Sequence, residues 1–210
     1  MHSPDARILI FAKAPVAGRV KTRLIPALGP QGAADLHKRL LLSTVARLGT
    51  ARVAPIELWC APDRRHPFFQ ALARDFHLEL RAQRGEDLGE RMLTASADGL
   101  TRGQAVVLIG SDCPDVDGEY LASALERLAR PRLDAVLGPA ADGGYVLLGL
   151  RRAVPELFTD MPWGGAQVAA LTRQRMQRLG WRWRELPVLR DLDRPEDLVL
   201  VDSAGGEERE

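Results

Sequence analysis

Apolar residues follow two spacings along this chain. Short continuous apolar runs occur at RILIFAK (7–13), PIELWC (55–60), LELRAQ (78–83), AVVLIG (105–110), DAVLGP (134–139) and YVLLGL (145–150). Runs of this length and aliphatic content suit buried strands, AVVLIG most clearly. Between them the apolar positions spread to helical spacing. Ala33, Leu36, Leu40, Val45 and Leu48 mark a helix in 31–49, with Gly49 expected just past its end. Further helices are predicted at PFFQALARDF (67–76), EDLGERMLTASADGL (86–100), DGEYLASALERLAR (117–130) and GAQVAALTRQRMQRLG (165–180), the last ended by Gly180. WRWRELPVL (181–189) begins as an alternating strand, with Trp181 and Trp183 read as packing. Pro195 opens a short final helix over 194–202.

This alternation predicts an α/β fold: a single domain with a mostly parallel central sheet and helices on both faces. The chain has 210 residues and no long linker, so one domain over 1–203 is expected, with 204–210 a small, charged, frayed tail. In such sheets ligands bind beyond the carboxyl ends of the strands. Four loops there look chemical: KAPVAGRVKTR, GSDCPD, PAADGGY and RDLDRPEDL.

Composition narrows the function classes. Net charge is +1, which gives no global attraction to nucleic acid or to an anionic membrane, so anion binding has to be local. The apolar runs are too short to span a bilayer. Cys60 and Cys113 form no C-x-x-C pair, and no signal peptide is evident, so a reduced, cytoplasmic location is expected. The histidines at 2, 37, 66 and 77 form no zinc pattern.

The first loop is locally basic. FAKAPVAGRVKTRL (11–24) holds Lys13 and Lys21, two of the chain's three lysines, together with Arg19 and Arg23. It is not a Walker A loop, because Val20 stands where glycine would precede the lysine, and no G-x-G-x-x-G is present. Gly18 permits a tight turn. If the segment is extended and faces solvent, Arg19, Lys21 and Arg23 project to one side. Their repulsion is then relieved by a di- or triphosphate. A solvated basic surface loop has the same composition.

The acidic loops have paired readings as well. Asp112, past the fourth strand, comes too early to cap the following helix and suits Mg²⁺ or Mn²⁺, whereas Asp117 is placed to cap it. Ser111 lacks a nucleophile-elbow context, and Cys113 reads as a packed residue. Asp142, Gly143 and Gly144 either bring main chain close to a ligand or form a turn. Asp191 and Asp193 lie two apart, so one of them either completes a metal site with Asp112 or, for Asp193, caps the last helix. Trp163 lines a sugar or base pocket or packs in the core.

Taken together, FAKAPVAGRVKTRL, LGERM, LIGSDCP, LGPAADGGYVLLGL, MPW and DLDRPEDL resemble the bacterial GT-A-fold family of nucleotide-diphospho-sugar transferases. Some of that family's members are named arsenosugar-biosynthesis glycosyltransferases or radical-SAM-associated transferases. The resemblance runs from about Ile8 to Leu198. It is more distant to molybdenum-cofactor and phospholactate nucleotidyltransferases, which share the fold, a basic first loop and two metal-binding aspartates. The resemblance implies phosphate binding by Lys13, Gly18, Arg19, Lys21, Arg23 and Ser111. It implies Mg²⁺ or Mn²⁺ on Asp112 and on Asp193 or Asp191. Acceptor or sugar contacts fall to Asp142, Gly143, Gly144, Tyr145 and Trp163, and Asp112, Asp142 and Lys21 take the catalytic roles.

The function expected is a metal-dependent glycosyltransferase that uses a nucleotide-diphospho-sugar donor and a small-molecule acceptor. The alternative is a nucleotidyltransferase that joins a nucleoside triphosphate to a phosphorylated small molecule and releases pyrophosphate. A non-catalytic nucleotide-binding module is the third reading. No nucleic-acid or membrane partner is expected, and nothing in the sequence fixes the oligomeric state.

Overall fold

The computed structural model describes residue 3 and residues 5–198. Its elements follow the two spacings. Strands are β1 (Ala6–Lys13), β2 (Ile56–Ala61), β3 (Glu79–Ala82), β4 (Ala105–Ile109), β5 (Ala135–Pro139), β6 (Tyr145–Leu150) and β7 (Trp183–Glu185). Helices are α1 (Ile25–Ala51), α2 (Pro67–Phe76), α3 (Leu88–Leu100), α4 (Gly118–Leu128) and α5 (Val168–Arg178).

Among the described residues the strands form one sheet of order β3-β2-β1-β4-β6-β5-β7. All pairings are parallel except those of β6, which runs antiparallel to β4 and β5. The β5–β6 hairpin therefore turns at the same sheet end where β1 and β4 finish. That sheet end gathers the first loop, the Asp112 loop and the Asp142 turn.

Alternation along β1 splits the core in two. Ile8 and Ile10 face Leu41, Val45 and Leu48 of α1, Phe69 of α2 and Leu121 of α4. Leu9 points the other way, toward Met92 and Ala95 of α3 and Ala169 and Met176 of α5. Helices thus cover both faces, as expected. Successive side chains of a strand point to opposite faces, and here both faces are buried, which explains the uninterrupted apolar runs. No helix among the described residues is long and apolar enough to cross a membrane.

Three local expectations change. First, α1 does not stop at Gly49 but continues to Ala51, and Arg52 takes the left-handed position (φ 47°). The reason is packing. A Cβ on Gly118 would come within 2.5 Å of the Ala51 Cβ, so the last turn of α1 fits into the gap that Gly118 leaves at the start of α4. The helix also begins before Gln31, with a break at Gly29 (φ 71°) ahead of Pro30. Second, the seventh strand is short. Trp181 precedes it and is buried, with the Arg152 guanidinium 4.9 Å from its ring. Third, the final helix is a 3₁₀ turn, Pro195–Leu198. The remainder of the segment expected to be helical, and the tail, lie outside the described residues.

Asp117 does cap α4, its Oδ1 accepting from the Tyr120 amide at 2.8 Å. Asp193 does not cap the last turn. Within the turn, Asp197 reaches back instead, its Oδ2 accepting from the amides of Asp193 and Arg194 that precede it.

Candidate functional site

The first loop is largely exposed but not extended. It turns at residues 17–19, and Gly18 adopts φ 77°. Lys21 then enters the left-handed region (φ 48°, ψ 41°), and its side chain is 3% exposed. Arg19, Lys21 and Arg23 therefore do not form one exposed row, as an extended loop would have made them. Arg19 stays exposed, while Lys21 turns inward.

Inward, Lys21 ties the first loop to two others. Its Nζ lies 3.1 Å from Asp112 Oδ1 and 3.7 Å from Asp193 Oδ1, and it donates a short hydrogen bond to the Leu192 carbonyl. Arg23 donates to Asp193 Oδ2 through Nη1 and to the Gly164 carbonyl through Nη2 at 3.3 Å. The Leu192 amide donates to the Asp112 carbonyl at 2.8 Å, which holds the last loop against the fourth-strand loop. Asp112 Oδ1 is itself buried and has no hydrogen-bond partner. At 3.1 Å the Lys21 ammonium faces it as a counter-charge.

His37 was missed by the sequence reading. It is buried on α1, its Nε2 donates to the Lys13 carbonyl at 2.8 Å, and its Nδ1 lies 3.9 Å from Asp112 Oδ1. Its helical phase beside Leu36 was the available signal. Gln83, just past β3, was missed as well. Its side-chain amide donates to the carbonyls of Trp59 (2.8 Å) and Ala12 (3.2 Å).

Two compartments open around this cluster, with Phe11, Arg23, Leu88, Gly110, Asp112 and Asp193 shared between them. One, of about 430 Å³, is lined by Lys13, Arg19, Lys21, His37, Gln83 and Ser111. The other, of about 320 Å³, is lined by Met92, Asp142, Tyr145, Trp163, Val168 and Asp191. Four cations, Lys13, Arg19, Lys21 and Arg23, line the first, and aromatic and aliphatic side chains dominate the second. The phosphate-binding candidates other than Gly18 thus lie around the first compartment, with Arg23 on both. Of the acceptor candidates, Asp142, Gly144, Tyr145 and Trp163 line the second, and Gly143 sits in its supporting turn.

That turn is tightly held. Asp142 Oδ1 accepts from the Gly144 amide at 2.8 Å, and the Gly143 carbonyl accepts from the Ala169 amide at the start of α5 at 2.9 Å. The Tyr145 ring meets Trp163 edge-on, with centroids 6.4 Å apart. The Trp163 indole nitrogen is buried without a partner. Burial raises the Asp191 pKa above the ordinary carboxylate value. Nearby Asp142 and Asp193 push it further up, and Lys21 opposes the shift. Burial likewise pushes the Cys113 thiol up to about 11, so it stays protonated at neutral pH. Among the described residues no three His, Cys, Asp or Glu side chains group to hold a metal. Asp112, Asp193 and the Leu192 carbonyl converge nonetheless.

The sequence pattern of a family described as "Uncharacterized protein conserved in bacteria (DUF2064)" matches residues 44–165. No curated protein matches the chain. Among solved structures, one provisionally named a nucleotide-diphospho-sugar transferase, from Desulfovibrio desulfuricans G20, is 33% identical with a TM-score of 0.86, covering 98% of this chain and 90% of that one. CMP:2-keto-3-deoxy-manno-octonic acid synthetase, complexed with CTP, is 14% identical with a TM-score of 0.61, covering 98% of this chain and 100% of that one. Glucosyl-3-phosphoglycerate synthase from Mycobacterium tuberculosis, with Mn²⁺, UDP and glucosyl-3-phosphoglycerate, is 14% identical with a TM-score of 0.56, covering 96% of this chain and 76% of that one. The fold is that of nucleotide-diphospho-sugar transferases, and these neighbours are transferases of both glycosyl and nucleotidyl type.

Proposed function

The chain belongs to the family of bacterial proteins described as DUF2064, and from that footing we propose that it is a glycosyltransferase, with a nucleotide-diphospho-sugar as donor and a small molecule as acceptor. The observation that carries this reading is the convergence of Lys21, Arg23, Asp112 and Asp193, from three separate loops, at the wall between a cationic and an aromatic compartment.

In this reading the cationic compartment takes the nucleotide. Arg23, Arg19 and Lys13 meet the phosphates, and Lys21 is the buried cation behind them. Arginine contributes paired donors and lysine a point charge. The oxygen set of Asp112 and Asp193 fits a hard divalent ion, and the buried, unpartnered Asp112 Oδ1 is an open acceptor. When bound there, Mg²⁺ or Mn²⁺ supplies charge neutralisation for the departing nucleoside diphosphate. The aromatic compartment takes the sugar and acceptor, with Tyr145 and Trp163 as walls. Asp142 orients the acceptor hydroxyl. Asp191, held more basic than an ordinary carboxylate, is suited to accept its proton.

The second reading, nucleotidyl transfer from a triphosphate, is favoured by the number of cations on one compartment: Lys13, Arg19, Lys21 and Arg23. The leaving group decides between the two. Incubated with Mg²⁺ or Mn²⁺ and panels of nucleotide sugars and nucleoside triphosphates, the protein is expected to release a nucleoside diphosphate. Pyrophosphate from a triphosphate and a phosphorylated acceptor establishes the second reading instead. If no panel member is turned over or raises the melting temperature, both fail.

Arg23→Ala is expected to weaken nucleotide binding about ten- to a hundredfold, through loss of charged hydrogen bonds worth ~1.5–3 kcal/mol. The nucleotide-free protein should change little, because exposed ion pairs contribute roughly 0–1 kcal/mol. Lys38→Ala removes a cation that sits over the Phe68 ring instead, and should leave affinity unchanged. Calorimetric titration of the three proteins checks this. Equal affinities would remove Arg23 from the phosphate site.

A further inference from the structure

The Lys21 ammonium sits among oxygens. Two carboxylates, Asp112 at 3.1 Å and Asp193 at 3.7 Å, and the Leu192 carbonyl surround a side chain that is almost wholly out of solvent. Carboxylate, carboxylate and main-chain carbonyl form the donor set of a hard divalent cation. The fit to the ammonium is incomplete, since Asp112 Oδ1 is buried yet receives no hydrogen bond. Arg23 meanwhile holds the other oxygen of Asp193, and the Leu192 amide holds the Asp112 backbone, so the cage is braced from outside.

We propose that Lys21 is the resident cation of a divalent-metal site formed by Asp112, Asp193 and the Leu192 carbonyl, which it fills in the nucleotide-free protein and vacates for the nucleotide phosphates. The inference rests on the nucleotide-binding reading above and adds to it both the carbonyl as a third ligand and a competitor already in place.

Three points support it. Like charges a few ångströms apart repel strongly in a poorly solvated pocket, so ammonium and metal do not share this cage. Lys21 holds a left-handed backbone that an L side chain adopts only where its surroundings impose it. It also follows the Gly18 turn, and its four-carbon stem lets the ammonium move without the cage. The cationic compartment, where phosphates would lie, is the space that Lys21 itself lines. The consequence is reciprocal coupling. Phosphates that draw Lys21 away open the metal site, and a bound metal leaves Lys21 free for phosphate.

The test is Mn²⁺ binding without nucleotide, followed by the electron paramagnetic resonance signal of the free ion. Wild type is expected to bind Mn²⁺ weakly. Lys21→Met, which keeps the stem length and removes the charge, is expected to bind it at least tenfold more tightly. Lys21→Gln, whose amide can still donate to the Leu192 carbonyl, should do the same and serves if the methionine variant does not fold. Lys21→Arg keeps a cation and should stay as weak as wild type. Adding Asp112→Asn to the tighter variant should return affinity to the wild-type level. If neither neutral variant gains affinity, while Mn²⁺ binding in wild type still depends on Asp112, Lys21 is not the resident cation and the metal assignment stands. If no variant binds Mn²⁺, with or without UDP or CTP, the metal position in the proposed function falls with it.

Discussion

Asp112→Asn is expected to abolish the joint stabilisation by metal and nucleotide and to cut turnover at least about a hundredfold, ~2.7 kcal/mol of barrier. The substitution keeps shape and removes charge. The backbone carbonyl of residue 112 still accepts from Leu192, so the loop geometry has its main-chain anchor. What disappears is the carboxylate that faces Lys21 and the shared edge of both compartments. In wild type, metal with nucleotide at a hundred times its dissociation constant should stabilise the protein by about 2.7 kcal/mol, and metal alone by much less. The variant should show neither the synergy nor the activity. The fold itself will not be wholly indifferent, because Lys21 is buried and loses its nearest counter-charge. Asp193 and the Leu192 carbonyl remain, and Asp112 is half exposed, so the loss should be about 1–2 kcal/mol. Thermal shifts with Mn²⁺, nucleotide, and both together separate the two effects. Full synergy in the variant would remove Asp112 from the metal site, and with it the arrangement built around that residue.

Gly143→Ala is expected to cost more stability than any loop substitution in the site, about 3 kcal/mol or more. Gly143 has φ 92°, and a Cβ there would stand 2.0 Å from the Ala166 carbonyl oxygen and 2.7 Å from its carbon. Those are backbone atoms, so no rotamer change relieves the overlap. The residue's own carbonyl also accepts from Ala169, which couples the Asp142 turn to the start of α5. Strain there should displace Asp142 and loosen the aromatic compartment. Gly18→Ala is the control: its φ is also positive, at 77°, but its Cβ would meet nothing within 4 Å, so only the left-handed backbone is penalised, by roughly 1–2 kcal/mol. Urea denaturation of both variants gives the comparison. A loss below ~1 kcal/mol for Gly143→Ala would mean that the turn is not held as tightly as described.

Much of the fold was legible because burial on both faces of a parallel sheet leaves a simple mark. AVVLIG reads as a central strand, and it is one, flanked by β1 and β6. Capping was legible where it depends on near neighbours, as with Asp117 and the Tyr120 amide three residues on. For Asp193 local spacing left capping and metal binding both open, because the deciding contact is with Arg23, 170 residues away in sequence. The end of α1 was misplaced because Gly49 carries the usual stop signal, while the deciding contact is between Ala51 and Gly118.

By itself, then, the sequence determined the layers and the end of the sheet at which the chemistry gathers. Hydrophobic spacing encodes burial, and the loops after parallel strands share one side. Tertiary structure alone decided the site. A chain read in one dimension makes Lys21 one of three exposed cations on a loop. Folded, a left-handed backbone at that residue turns it inward, and contacts across most of the chain's length enclose it with Asp112, Asp193 and the Leu192 carbonyl. No local pattern announces that cage. One of its oxygens belongs to the main chain, which every residue has, and its shape depends on three loops meeting in space.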